Sequence, residues 1–167
     1  MQTYLTPHFA LEEFLTGNLE PRHVPEDVLA NLTQLCADVL EPVRSHFGMA
    51  LHIHSGWRPS VHNASIGGAK DSDHTTGRAA DFHIGDGNGA PWDANTIAAF
   101  HWIRSSLDGA YGQLILEDHR VHLAQPGKLW VHVAVPGPKH SGSIADLNRV
   151  LVSHAPKRYE QWKEPSA

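Results

Sequence analysis

At 167 residues, the chain is long enough to bury one substantial core without disulfide staples and short for two ordinary domains. Thirteen basic against eighteen acidic residues give a net charge of −5, and no Lys/Arg stripe offers phosphates a footprint, which speaks against a nucleic-acid binder. A single cysteine excludes an intrachain disulfide, and no stretch approaches the roughly 18 apolar residues that would span a bilayer, so membrane insertion is not expected. The opening MQTYLTPHFALEEF lacks a basic segment followed by an apolar core, so no secretory signal is expected. Synthesis in the cytoplasm is therefore the expectation, with any action outside it needing another route.

In chain order, Thr6-Pro7 ahead of HFALEEFL predicts a short helix ended by Gly17-Asn18. Pro25 starts a long helix running to about Phe47, with Val28, Leu32, Leu35, Val39, Leu40 and Val43 spaced for one buried stripe. Cys36 falls inside that stripe and reads as a buried structural thiol. Pro42 predicts a kink or break. MALHIHSG is a short strand with Leu51, Ile53 and Ser55 on one face and His52 and His54 on the other. The H-x-H pair offers two metal ligands on one face, although polar residues on the solvent side of a half-buried strand are the commoner meaning of that pattern. Ser60 to Ile66 predicts a helical turn closed by Gly67-Gly68, and residues 69–78 a polar loop.

Ala79 to Ile84 reads as a strand, GDGNGAP as a turn, and Trp92-Asp93 as the start of a helix through Leu107, with Asp93 as its cap. QLILE is a strand and HRVHL a possible partner arm; Gln125-Pro126-Gly127-Lys128 is another turn. Leu129 to Val135 is the last predicted strand, Ile144 to His154 a helix, and the segment from Pro156 a poorly packed tail. Helices on one side of short strands, without βαβ alternation, predict an α+β domain with a small, mainly antiparallel sheet. The organisation read here is one domain over residues 1–155 and a tail over 156–167.

The stretch Ser55 to Asp81 carries the densest chemistry. His74 and Asp81 in S-D-H-T-T-G-R-A-A-D, with His132 in L-W-V-H-V-A-V, supply three nitrogen and oxygen donors, the number a catalytic zinc takes while leaving one position open. Fourteen histidines make chance spacings easy: His101 and Asp108 are also seven apart, but lie in an amphipathic helix without the Ser, Gly and Ala-Ala context. Around His132, Val131, Val133 and Val135 face the core, which holds the imidazole rigidly while it points the other way. Ser72 either caps the loop or orients His74. Gly77, Ala79 and Ala80 suit a close backbone approach. Glu117, at the end of QLILE, is the candidate general base, with Asp118 and Glu41 as weaker rivals. Arg58 is placed to clamp a carboxylate or stabilise an oxyanion.

Taken together, S-G-W-R-P at 55–59, Asn63, Gly67-Gly68, S-x-H-x-x-G-x-A-A-D at 72–81 and W-V-H-V at 130–133 resemble the zinc D-Ala-D-Ala peptidase family, over roughly residues 6–136. That family includes peptidoglycan carboxypeptidases, vancomycin-resistance dipeptidases and phage endolysins, and shares its zinc fold with the Hedgehog signalling domain. The resemblance implies zinc on His74, Asp81 and His132, with Arg58 engaging substrate or transition state. The chain departs from several members, which carry Glu three residues before the last ligand, where this chain has Leu129. Residue 127 is Gly, where some carboxypeptidases have an additional histidine. Other members have Q-L-I-x-E on the preceding strand, and on that likeness the base role falls to Glu117.

The resemblance implies a zinc peptidase acting on peptidoglycan stem peptides as a monomer, related to phage or prophage lysis enzymes and reaching the cell wall after release or within a virion. A zinc-containing phage structural or binding module without chemistry is the main alternative; Leu129 speaks for it and Glu117 against. A cytoplasmic dipeptidase acting on D-Ala-D-Ala is the third.

Overall fold

Apolar residues recurring every three or four positions make residues 26–47 helical, and Val28, Leu32, Leu35, Val39, Leu40 and Val43 are all buried. In the computed structural model, which describes residues 2–85, 91–120, 129–138, 149–155 and 157–163, this segment is α1 (Glu26–Leu35), a π-helical turn (Cys36–Leu40) and α2 (Glu41–Phe47). The expected disturbance at Pro42 is that wide turn, in which the Glu41 N–H donates to the Cys36 carbonyl five residues back. Proline has no hydrogen for the carbonyl four residues earlier, and the widened turn absorbs the mismatch while the helix continues. Gly48, at φ 63°, then ends α2.

The short helix expected over HFALEEFL is replaced by a hairpin. Strand β1 (Tyr4–Thr6) pairs antiparallel with β2 (Phe9–Ala10), and only Leu11–Phe14 turns as a 3₁₀ helix. Phe9, Ala10, Leu11 and Phe14 are buried, and three consecutive buried positions span more than one helix face.

The main sheet has six strands in the order β3-β4-β6-β5-β7-β8: β3 (Leu51–Ser55), β4 (Ala79–Ile84), β5 (Gln113–Asp118), β6 (Leu129–Ala134), β7 (Arg149–Ala155) and β8 (Arg158–Gln161). Every neighbouring pair is antiparallel except β5–β7. The fold is therefore α+β with a mostly antiparallel sheet, as expected. Helix α3 (Ser60–Ser65) lies in the β3–β4 connection, and α4 (Pro91–Ser106) packs on β4, β5 and β6. On the covered side, Ala80, Phe82, Ile84, Leu114, Leu116, Val131 and Val133 join Phe100 and Ile103 in one apolar core. The alternate positions Asp81, His83, Glu117 and His132 are left for the other face. No helix among the described residues is long and apolar enough to cross a membrane.

Two expectations near the C-terminus are corrected. Of Ile144 to His154, the described part is strand β7, parallel to β5 with Gln113 opposite Arg149 and Glu117 opposite Ser153. Residues 158–161, expected as part of a loose tail, form β8 antiparallel to β7. Helix α4 starts at Pro91, one residue earlier than predicted, and the Asp93 carboxylate accepts from Arg120 at 2.7 Å. Residues 86–90 of the expected turn, the arm residues 121–123, the turn at 125–128 and residues 144–148 lie outside the described residues.

One close approach ties the N-terminal segment to the sheet. The Trp57 N–H donates to the Phe14 carbonyl at 2.8 Å, and a Cβ built on Gly56 would come within 2.6 Å of Phe14 Cβ and 2.7 Å of its Cα. The obstacle is backbone and cannot swing away. Gly56→Ala is expected to cost about 1–3 kcal/mol of unfolding free energy, as overpacking does. A denaturant melt that shows no loss would contradict this packing.

Candidate metal centre

Strand register sets two of the three donors. Asp81 on β4 and His132 on β6 are directly opposed, so their side chains rise from the same face of adjacent strands. His132 Nδ1 lies 2.8 Å from Asp81 Oδ1. The third donor arrives from the 3₁₀ turn Asp73–Thr76, which brings the buried His74 over that pair. Gly77 ends the turn at φ 71°, where a Cβ would also press within 2.9 Å of the Val28 carbonyl.

The tautomer of His74 follows from its partner. Nδ1 lies 2.7 Å from the Gly56 carbonyl, a pure acceptor, so Nδ1 carries the hydrogen and the Nε2 lone pair faces the site. His74 Nε2 is 3.2 Å from His132 Nδ1 and 3.3 Å from Asp81 Oδ1. Zinc bonds of ~2.0–2.2 Å in tetrahedral geometry set donors about 3.3 Å apart, so the three atoms already sit near the corners of a zinc coordination face. Their ligand atoms all lie within 4.8 Å of one another. Burial opposes charge on Asp81, yet the adjacent His74 and His132 more than offset it and hold the carboxyl far below its ordinary range. Burial pushes His74 toward the neutral form, the form that binds a metal.

Arg58 and Glu117 share a cleft of about 620 Å³ with these donors. Arg58 Nη2 lies 3.8 Å from Asp81 Oδ2, and the Arg58 N–H donates to the His74 carbonyl at 3.0 Å. Burial lowers the guanidinium pKa, against the pull of Asp81 and Tyr159. Glu117 lies opposite Trp130, two pairs along from Ile115 opposite His132, so its carboxylate stands on the His132 face. Burial, with Asp81 adding, raises its pKa to about 6, while His132 and hydrogen bonds from Ser153 and Tyr159 act the other way. Leu129 is fully buried in the apolar core, an odd number of residues from His132 along a regular strand. A carboxylate at that position would point away from the donors.

Other expectations divide cleanly. Ser72 lines the cleft, but its hydroxyl makes no capping bond; its carbonyl holds the turn by accepting from Thr75 Oγ1 at 2.6 Å. Glu41 is taken by His8 at 2.7 Å and Asp118 by Arg120 at 2.7 Å, and neither lines the cleft. His101 packs its ring against Phe100 and Trp162. Burial, then Glu41 and Glu13, raise the Cys36 thiol pKa far above its usual value, as befits an inert core residue. Asn63 is buried and donates to the Ala69 carbonyl at 2.7 Å, and a Cβ on Gly68 would collide with the Asn63 amide, which accounts for that Asn and Gly.

Three residues around Glu117 escaped the sequence reading. His119 Nε2 sits 3.0 Å from Glu117 Oε2 and 3.1 Å from Ser153 Oγ. His119 continues the alternation of Gln113, Ile115 and Glu117, a signal that was available. Ser153 and Tyr159 come from β7 and β8, for which the local sequence gave no warning.

The chain matches the family model described as Peptidase M15 over residues 7–122, well over half its length. The chain belongs to the peptidase M15 family. M15 peptidases are zinc-dependent, and the donor set and spacing described above fit that metal. The match ends before β6, so within this M15 chain His132 joins the centre through strand register. No curated protein matches the chain.

His132→Gln is expected to weaken zinc binding by at least about 100-fold, since loss of groups one shell further out already costs 10–100-fold. Metal analysis after dialysis against buffered zinc checks this, with circular dichroism confirming the fold. Stoichiometric zinc retained at wild-type affinity would remove His132 from the centre.

Proposed function

We propose that this M15 peptidase hydrolyses peptide bonds in the stem peptides of peptidoglycan, with Glu117 as general base and Arg58 as the cation that meets the developing oxyanion. The observation that carries the reading is the placement of Glu117 on the His132 face, buried and poised at a pKa of about 6. Zinc held by His74, Asp81 and His132 would lower the pKa of water and polarise the scissile carbonyl. Glu117 accepts a proton from the attacking water and returns it to the leaving amine nitrogen. The Arg58 guanidinium lines the same cleft beside Asp81 and stabilises negative charge on the carbonyl oxygen. His119, Ser153 and Tyr159 fix the Glu117 carboxylate through hydrogen bonds, so that it is oriented before substrate arrives.

Peptidoglycan stem peptides fit the cleft by charge and by resemblance. Arg58 and Lys157 line its wall and suit the carboxylates that such peptides carry. The motifs at 55–59, 72–81 and 130–133 resemble wall peptidases, including phage lysis enzymes. The same likeness supports action at the cell wall, reached after release or within a virion, by a monomeric enzyme. The scissile bond is D-Ala-D-Ala or an endopeptidase bond of the stem. Leu129, the feature that favours a non-catalytic zinc module, is a buried core position, and Glu117 on the His132 face favours the peptidase reading.

The test is Glu117→Gln, which keeps size and hydrogen bonding but cannot take a proton. Zinc content should be unchanged and kcat on a stem peptide should fall about 10²–10⁴-fold. Activity of the wild type should rise with pH as Glu117 ionises, with an acidic limb at or below pH 6, since its raised pKa of about 6 belongs to the metal-free site and a cation nearby favours the carboxylate. A variant with zinc bound and near-full activity would end the base assignment.

A further inference from the structure

Beyond the His74–Asp81–His132 centre, the same face of the sheet carries a second group of imidazoles. We propose that His52, His54 and His83 form a separate site for a divalent transition-metal ion, copper(II) or zinc, that clips the edge strand β3 to β4.

Three observations bring these rings together. His52 and His83 are directly opposed in the β3–β4 register, and their rings stack at 4.9 Å between centroids with planes 16° apart. The pairing slips by one residue between Ile53 and Ser55, so His54 is the extra residue of an irregularity of the kind that redirects a side chain. That slip brings the His54 ring to 4.6 Å from His83, with His54 Nε2 at hydrogen-bond distance from His83 Nδ1.

Two ring nitrogens at such a distance share a proton or a cation. A metal ion would replace the shared proton once the rings part by less than an ångström. His52 and His54 are both solvent-exposed, and a turn of the His52 ring would bring its nitrogen inward as the third ligand. His83 is buried at 7% exposure, which anchors the set.

The donor chemistry narrows the ligand. Three neutral imidazoles suit copper(II), zinc or nickel(II), and offer nothing to magnesium or calcium, which take oxygen. None of the three residues lines the catalytic cleft, and none is shared with the first centre. An ion here would therefore cross-link two strands, where β3, among the described residues, has a sheet neighbour on one side alone. Binding to the folded chain in preference to the unfolded one raises stability by mass action.

Calorimetric titration of the metal-free chain with zinc alone, and then with copper(II) alone, tests the site. Wild type should take two ions in separable phases. His52→Gln/His54→Gln, at two exposed positions, should take one, while His132→Gln should lose the tighter phase and keep the second. In His132→Gln loaded with copper(II), electron paramagnetic resonance should show nitrogen couplings from imidazoles that vanish when His52 and His54 are also replaced. A wild-type chain that takes one ion, a double variant that still takes two, or a copper signal unchanged by the double replacement would overturn the proposal. Survival of this second phase would be independent of whether the first centre is catalytic.

Discussion

Two imidazole nitrogens and a carboxylate oxygen, brought from two strands and a turn, converge to within 3.3 Å of one another. Asp81 and His132 are fixed by strand register, and His74 by the Gly56 carbonyl behind its ring. These supports are backbone, so the directions from which the three side chains enter the cluster are set by a ladder and a turn. A cation of about the size of zinc would satisfy all three donors at once. The surrounding architecture serves this constraint. The core on the far side of the sheet pins β4 and β6, while Gly56 and Gly77 allow the His74 turn to press close to Phe14 and Val28.

The second element of the account is a buried acid. Glu117 is desolvated at 7% exposure, which by itself disfavours its charged form and places its proton affinity in the range useful near neutral pH. Its raised pKa means that folding protects the protonated form. The stability cost of its ionisation is therefore absent below pH 4.5 and develops as pH rises toward about 6. Hydrogen bonds from Ser153 and Tyr159 limit that cost and also orient the carboxylate. These contacts come from β7 and β8, outside the segment matched to the family, so the C-terminal strands complete a site whose metal-binding half lies mostly earlier in the chain.

Much of the centre was legible in the sequence because its determinants are local. The alternation of Val131, Val133 and Val135 around His132 states which face the imidazole takes, and the small residues between His74 and Asp81 allow the turn-to-strand passage. The β4 and β6 spans were likewise evident from alternation and flanking turns. What escaped was set by distant partners. Residues 149–155 carry Val150, Leu151 and Val152 in a run that fits a helix or a strand, and parallel pairing with β5, more than thirty residues away, decides for the strand. The N-terminal hairpin was missed because Glu12 and Glu13 mimic the first turn of a helix. They do start a helical turn, with Glu13 accepting from the Ala10 N–H at 2.7 Å, but it is the short 3₁₀ helix Leu11–Phe14 that follows the hairpin. Tyr159 lies in what looked like a polar tail, and its place in the cleft depends wholly on β8 adding to β7.

The measurement that bears most directly on the central claim is a mass-spectrometric digest of purified muropeptides by the native protein, by the chelator-stripped protein and by the stripped protein returned to zinc. The account predicts a defined mass change in the first, none in the second and its return in the third, with the lost fragment naming the bond. Unchanged muropeptides from protein shown to hold zinc, or cleavage indifferent to the chelator, would contradict it.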